Sequence, residues 1–169
     1  LYLIEGQKDA KLYFNNALKY KEGTNDTLNI STLNKNLSRY YLNLKEYDKS
    51  FIHIQNSLDA LAPFNSDKFE NLPTKIELLY SKSKLYLCAS LIEKAKIWVE
   101  LAENNPNNKT YYTEAIKTLK LADYLVDQSR LESNETQSKL FWRKTATEIY
   151  VNGVSASIAT NNIEDAFYF

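Results

Sequence analysis

Leu37-Ser38-Arg39-Tyr40-Tyr41, Tyr47-Asp48-Lys49-Ser50 and Ile54-Gln55-Asn56-Ser57-Leu58 decide the fold. They do so when set beside Lys82-Ser83-Lys84-Leu85-Tyr86, Ile92-Glu93-Lys94-Ala95 and Val99-Glu100-Leu101-Ala102. In both runs a small residue precedes a tyrosine by three, a second small residue follows nine later, and a third follows seven after that. Residues three, four or seven apart share one face of an α-helix. Small side chains on that face let two helices approach closely, while large ones fill the gap to the next pair. Ser38 with Ser50, and Ser83 with Ala95, are therefore predicted close-contact pairs inside two helical hairpins. Tyr41 and Tyr86 are predicted to fill the spaces between hairpins.

The helical spacing extends outward from these runs. Ala10, Tyr13, Phe14, Ala17 and Leu18 make a stripe upstream. Ile76, Leu79, Tyr80, Ser83, Tyr86 and Leu87 predict a fourth helix. Ala95, Trp98, Val99 and Ala102 predict a fifth, and Ala115, Leu119, Ala122 and Val126 a sixth. Leu140, Phe141, Ala146, Ile149, Tyr150, Val154 and Ile158 predict a long seventh, with a further turn of helix from Ile163. Breaks fall at Gly23-Thr24-Asn25-Asp26, from Pro63 through Asn65-Ser66-Asp67 to Pro73, at Asn104-Asn105-Pro106-Asn107-Asn108, and at Ser133-Asn134-Glu135. Lys45-Glu46 is read as the link between the second and third helices, and Ser90-Leu91 as the link between the fourth and fifth. Links this short make their helices antiparallel neighbours.

Composition narrows the function. Among 169 residues there are three Gly and three Pro, too few for a turn-rich β-sandwich. Apolar residues at 44% are too many for a disordered chain. Lys+Arg and Asp+Glu number 21 each, so there is no net charge to attract nucleic acid or an anionic membrane. One Cys and one His exclude an internal disulfide and any multi-histidine or thiolate-rich metal site. No apolar run reaches the ~18 residues of a membrane span, and no signal peptide is visible. A chain that opens mid-pattern at Leu1-Tyr2-Leu3-Ile4, without Met, is read as a segment of a longer protein. Its expected location is cytoplasmic.

The small/large/small rhythm resembles the tetratricopeptide repeat family, a helix–turn–helix unit of 34 residues. The resemblance implies an all-α superhelix of about seven helices in antiparallel pairs. Residues 1–22 would be a half repeat, 31–63 and 74–106 two full repeats, and 110–169 atypical long helices, all in one domain. The units are offset by 45 residues from Ser50 to Ala95, which makes the Pro63–Pro73 stretch an insertion. Leu125-Val126-Asp127-Gln128-Ser129-Arg130, Glu135-Thr136-Gln137-Ser138-Lys139, Glu148-Ile149-Tyr150 and Ile163-Glu164-Asp165-Ala166-Phe167-Tyr168-Phe169 follow in order. They resemble the tetratricopeptide region upstream of the caspase-like peptidase in CHAT-type bacterial proteins. That resemblance implies a regulatory arm of an attached effector.

The family's concave groove implies a binding face made of Lys35, Arg39, Leu42 and Asn43 from one unit and Tyr80, Lys84 and Leu87 from the next. Basic donors beside apolar surface suit a protein or peptide partner carrying carboxylates. Catalysis is not expected. His53 and Cys88 are the only nucleophile–base candidates, and both are read as structural. Acidic residues such as Glu46, Asp48, Glu93, Glu114 and Asp123 are read as solvated faces and caps, and the aromatics as core. No cofactor or metal is expected. Self-association, or an arm feeding a kinase or DNA-binding domain, is the alternative reading.

Overall fold

The computed structural model describes residues 7–62, 64, 67–132 and 136–169. Of the expected features, Leu1-Tyr2-Leu3-Ile4, Pro63, Asn65-Ser66 and Ser133-Asn134-Glu135 lie outside the described residues, as do the side chains of Ala10, Leu140 and Phe141. The described residues form eight helices and no strand. They are α1 (Gln7–Glu22), α2 (Thr27–Asn43), α3 (Tyr47–Asp59), α4 (Lys75–Leu79), α5 (Lys84–Asn104), α6 (Thr110–Glu132), α7 (Thr136–Thr160) and α8 (Ile163–Tyr168). The chain divides into two compact units between Ser90 and Leu91.

In the first unit α2 packs against α3, and α1 against α2. Asp26 opens α2 as its N-cap, accepting from the Asn29 amide, and the Lys21 ammonium beside it holds its carboxyl down at about 2. α2 ends in a Schellman turn. Lys45 N–H donates to the Leu42 carbonyl at 2.8 Å and Glu46 N–H to the Tyr41 carbonyl at 3.0 Å, with Lys45 left-handed at φ 59°. The predicted link at Lys45-Glu46 is therefore present, with a lysine in the left-handed position that glycine usually takes.

The predicted close-contact pair is present too. Ser38 and Ser50 are fully buried, their hydroxyls 3.0 Å apart, and Ser50 Oγ donates to the Ser38 carbonyl at 2.8 Å. Seven residues back on α2 and seven forward on α3 the arrangement repeats. Ser31 and Ser57 hydroxyls lie 2.9 Å apart, and Ser57 Oγ donates to the Ser31 carbonyl at 2.8 Å. A side chain larger than serine at these four positions would force the helices apart. Phe51, Leu37, Ile54 and Leu58 fill the space around the clasps.

The second predicted hairpin is corrected. Ser90-Leu91 is not a link: it lies inside α5, which runs unbroken from Lys84 to Asn104. The chain breaks earlier, over Tyr80–Ser83, where α4 has ended and Lys82 N–H donates to the Leu61 carbonyl at 2.9 Å. Ser90 carries no turn chemistry. Its hydroxyl donates to the Tyr86 carbonyl one turn back and lies 2.9 Å from Ser57 Oγ, so it acts as a close-contact residue on a continuous helix. Ala95 and Ala102 are buried on that same helix, so Ser83 and Ala95 cannot face each other across a hairpin. α4 begins just after the break expected to end at Pro73: Thr74 and Glu77 form a reciprocal capping box. The loop between α3 and α4 is tied down by Gln55, which donates to the Lys68 carbonyl at 2.8 Å, and by Phe69, stacked on Phe51 at 4.8 Å.

In the second unit α6 packs against α7, and α7 against α8. Ala115, Leu119, Ala122 and Val126 are buried along α6, as the sequence stripe requires. A second Schellman turn ends α7, with Asn161 left-handed at φ 57°. Asn162 then caps α8 by accepting from the Asp165 amide.

Candidate functional site

The residues predicted for the groove separate by burial. Arg39 and Asn43 are exposed and Lys35 is half-buried, four residues apart on the outward stripe of α2. Leu42, seven residues after Lys35 on the same face of that helix, is nevertheless buried, and Leu87 is fully buried in α5. Both are core residues with no surface for a partner. Their place in the predicted groove came from counting a repeat whose second half is not a hairpin. Tyr80 caps the end of α4 and is 84% exposed; Lys84 is half-buried at the start of α5. Ile76 and Leu79 are exposed beside Tyr80 on α4. What remains of the predicted face is Lys35, Arg39 and Asn43 on one helix, and Tyr80 with Lys84 on another segment.

His53 and Cys88 are each packed within the helices. His53 Nδ1 is 3.0 Å from Asn34 Oδ1, and its ring stacks on Tyr41 at 5.3 Å with the planes 4° apart. Burial, then the charge of Lys11, pushes the His53 pKa down, so the imidazole is neutral at pH 7. Lys11 and Lys49 both lie over the Tyr41 ring, at 5.6 and 5.5 Å. Cys88 is a buried free thiol. Among the described residues no three His, Cys, Asp or Glu side chains gather as metal ligands, and no helix is long and apolar enough to cross a membrane.

A second cluster, unforeseen in the sequence, lies where α8 meets α6 and α7. Tyr168 OH donates to Asp123 Oδ2 at 3.0 Å. Asp123 is buried, and its other oxygen, Oδ1, has no hydrogen-bond partner among the described residues. Lys120 pairs with Asp165 and lies 4.8 Å over the Tyr168 ring. The Phe169 ring rests on Gly153, where an added Cβ would come within 2.5 Å of it, and faces Tyr150 at 6.5 Å. Burial, followed by the bond to Asp123, drives the Tyr168 pKa up to about 12, so its phenol remains a donor at any ordinary pH. Burial and then Asp123 also raise that of Tyr150. Two signals in the sequence mark this place. Asp123 interrupts the apolar stripe beside Ala122, and Gly153 sits mid-helix, where glycine costs about 1 kcal/mol relative to alanine.

Comparison with protein-family models, curated proteins and solved structures found no match to this chain.

Proposed function

We propose that this chain is a non-catalytic protein-interaction segment, a tetratricopeptide-like arm that binds a protein or peptide partner and regulates an attached effector. The observation that carries this reading is the doubly clasped α2/α3 hairpin. Paired serines hold its helices close, and Arg39 and Asn43 are exposed along one stripe with Lys35 half-buried beside them. A rigid helix presenting spaced donors is a common way to read carboxylates on a peptide. The CHAT-type resemblance makes a caspase-like peptidase the leading effector, and a cytoplasmic location goes with it.

Capture from a random peptide library by the chain, repeated with Arg39→Glu and Lys84→Glu, tests the reading. Acidic peptides are expected to be enriched and to lose about tenfold in affinity with both charges reversed, a change of about 1.4 kcal/mol. An unchanged peptide profile counts against the α2 stripe as the binding face.

A second reading, self-association, is favoured by the exposed apolar side chains of Ile76, Leu79 and Tyr80. Sedimentation across a hundredfold range of concentration separates the two, since a monomer throughout removes it.

A further inference from the structure

The cluster at α8 belongs to neither the α2 stripe nor any reading of the repeat. α8 spans six residues, and none of them is buried. An isolated helix of that length is not stable in water, so its contacts with α6 and α7 hold it. Those contacts form a pattern along its sequence. Asp165 meets Lys120; Tyr168, three residues on, meets Asp123 and lies under Lys120; Phe169, the next residue, rests on Gly153. The rest of α8 faces away, with Phe167 87% and Ile163 70% exposed. Two residues, the left-handed Asn161 and the N-cap Asn162, join it to α7. The seat is built on α6 and α7: Asp123 is buried, accepts from Tyr168 OH at 3.0 Å and also bears on the Tyr150 phenol of α7.

We propose that the α6–α7 seat formed by Lys120, Asp123, Tyr150 and Gly153 is a docking site for short helical peptides of one pattern. The pattern is a carboxylate, a tyrosine three residues later and an aromatic residue directly after it. α8 is the tethered occupant that such a peptide displaces. The commitment is to a peptide segment of that chemistry from a partner protein. It is independent of the α2 stripe, and either can fail alone.

The test uses a fluorescein-labelled peptide with the sequence of residues 160–169 and the full chain carrying Tyr168→Ala and Phe169→Ala, which disarms the tethered occupant and leaves the seat intact. Saturable binding in fluorescence anisotropy is expected. Wild type should bind the peptide at least about tenfold more weakly, because a short tether holds α8 at millimolar effective concentration. Lys120→Glu in the disarmed chain should abolish binding, and a peptide with Asp165→Lys should restore it. No binding to a disarmed chain whose circular dichroism matches wild type overturns the proposal, as does binding indifferent to Lys120→Glu. If the disarmed chain loses helix, amide exchange on wild type decides. Fast exchange over residues 163–169 with α6 and α7 protected supports a displaceable α8. Protection of α8 equal to that of α6 overturns it.

Discussion

Ser50 has two partners on α2, and they make its replacement costly. Ser50→Ala removes the donor to the Ser38 carbonyl and leaves the buried Ser38 hydroxyl without an acceptor. The expected loss is about 1–3 kcal/mol in urea unfolding. Adding Ser38→Ala removes the orphaned hydroxyl, so the double variant should be less destabilised than the sum of the two single ones. A strictly additive result would show that the hydroxyls act independently. Ser57 has a fuller set, touching Ser31 Oγ, the Ser31 carbonyl and Ser90 Oγ. His53 supplies a pH dependence at the same scale. Its pKa is depressed in the folded chain, so the unfolded chain binds the proton more readily. Its contribution is present above the ordinary 6.5 and is lost as pH falls through that value toward the lower folded one. Wild type should lose stability between about pH 7.5 and about pH 5.5, and His53→Gln should lose less. Equal losses in the two proteins would assign the dependence to other groups.

At the scale of elements, caps and turns depend most on local sequence. Asp26, Thr74 with Glu77, and Asn162 are polar residues whose side chains reach an amide three residues on, and local sequence alone makes that contact. The α2–α3 connection was legible in position though not in strain. Lys45 holds a left-handed conformation that costs a residue with a Cβ about 1–2 kcal/mol, part of which glycine returns as lost flexibility. Lys45→Gly is thus expected to raise stability by roughly 0.5–1 kcal/mol, measured as a higher urea midpoint with an unchanged slope. A lower midpoint would mean the lysine side chain contributes more than its backbone costs. Ser90-Leu91 was read wrongly at this scale because a serine can mark either a turn or a close helix contact. Which role it takes depends on whether a partner such as Ser57 stands opposite.

For the whole molecule, charge balance is the governing sequence property. With 21 basic and 21 acidic residues and a pI near 6.8, self-repulsion is weakest around neutrality. Solubility of this chain under polyethylene glycol precipitation should pass through a minimum near pH 6.8 and rise on either side, most clearly at low salt. Exposed Ile76, Tyr80 and Phe167 add apolar surface that charge does not shield at that pH. A flat profile would make the apolar patches, rather than net charge, the controlling factor.

The sequence by itself determined that the chain is helical, where several of its breaks fall, and that Ser38 and Ser50 clasp α2 to α3; that Ser31 meets Ser57 came from the structure. Those features depend on neighbours within a turn or two, or on a repeated spacing along two adjacent helices. Only the tertiary structure decided that α5 runs on through Ser90, that Leu42 and Leu87 are core, and that Asp123 meets Tyr168 while Gly153 receives Phe169. Each of these depends on what stands opposite a residue across a distance the chain closes only on folding. Helical spacing says which residues share a face, not which face meets another helix.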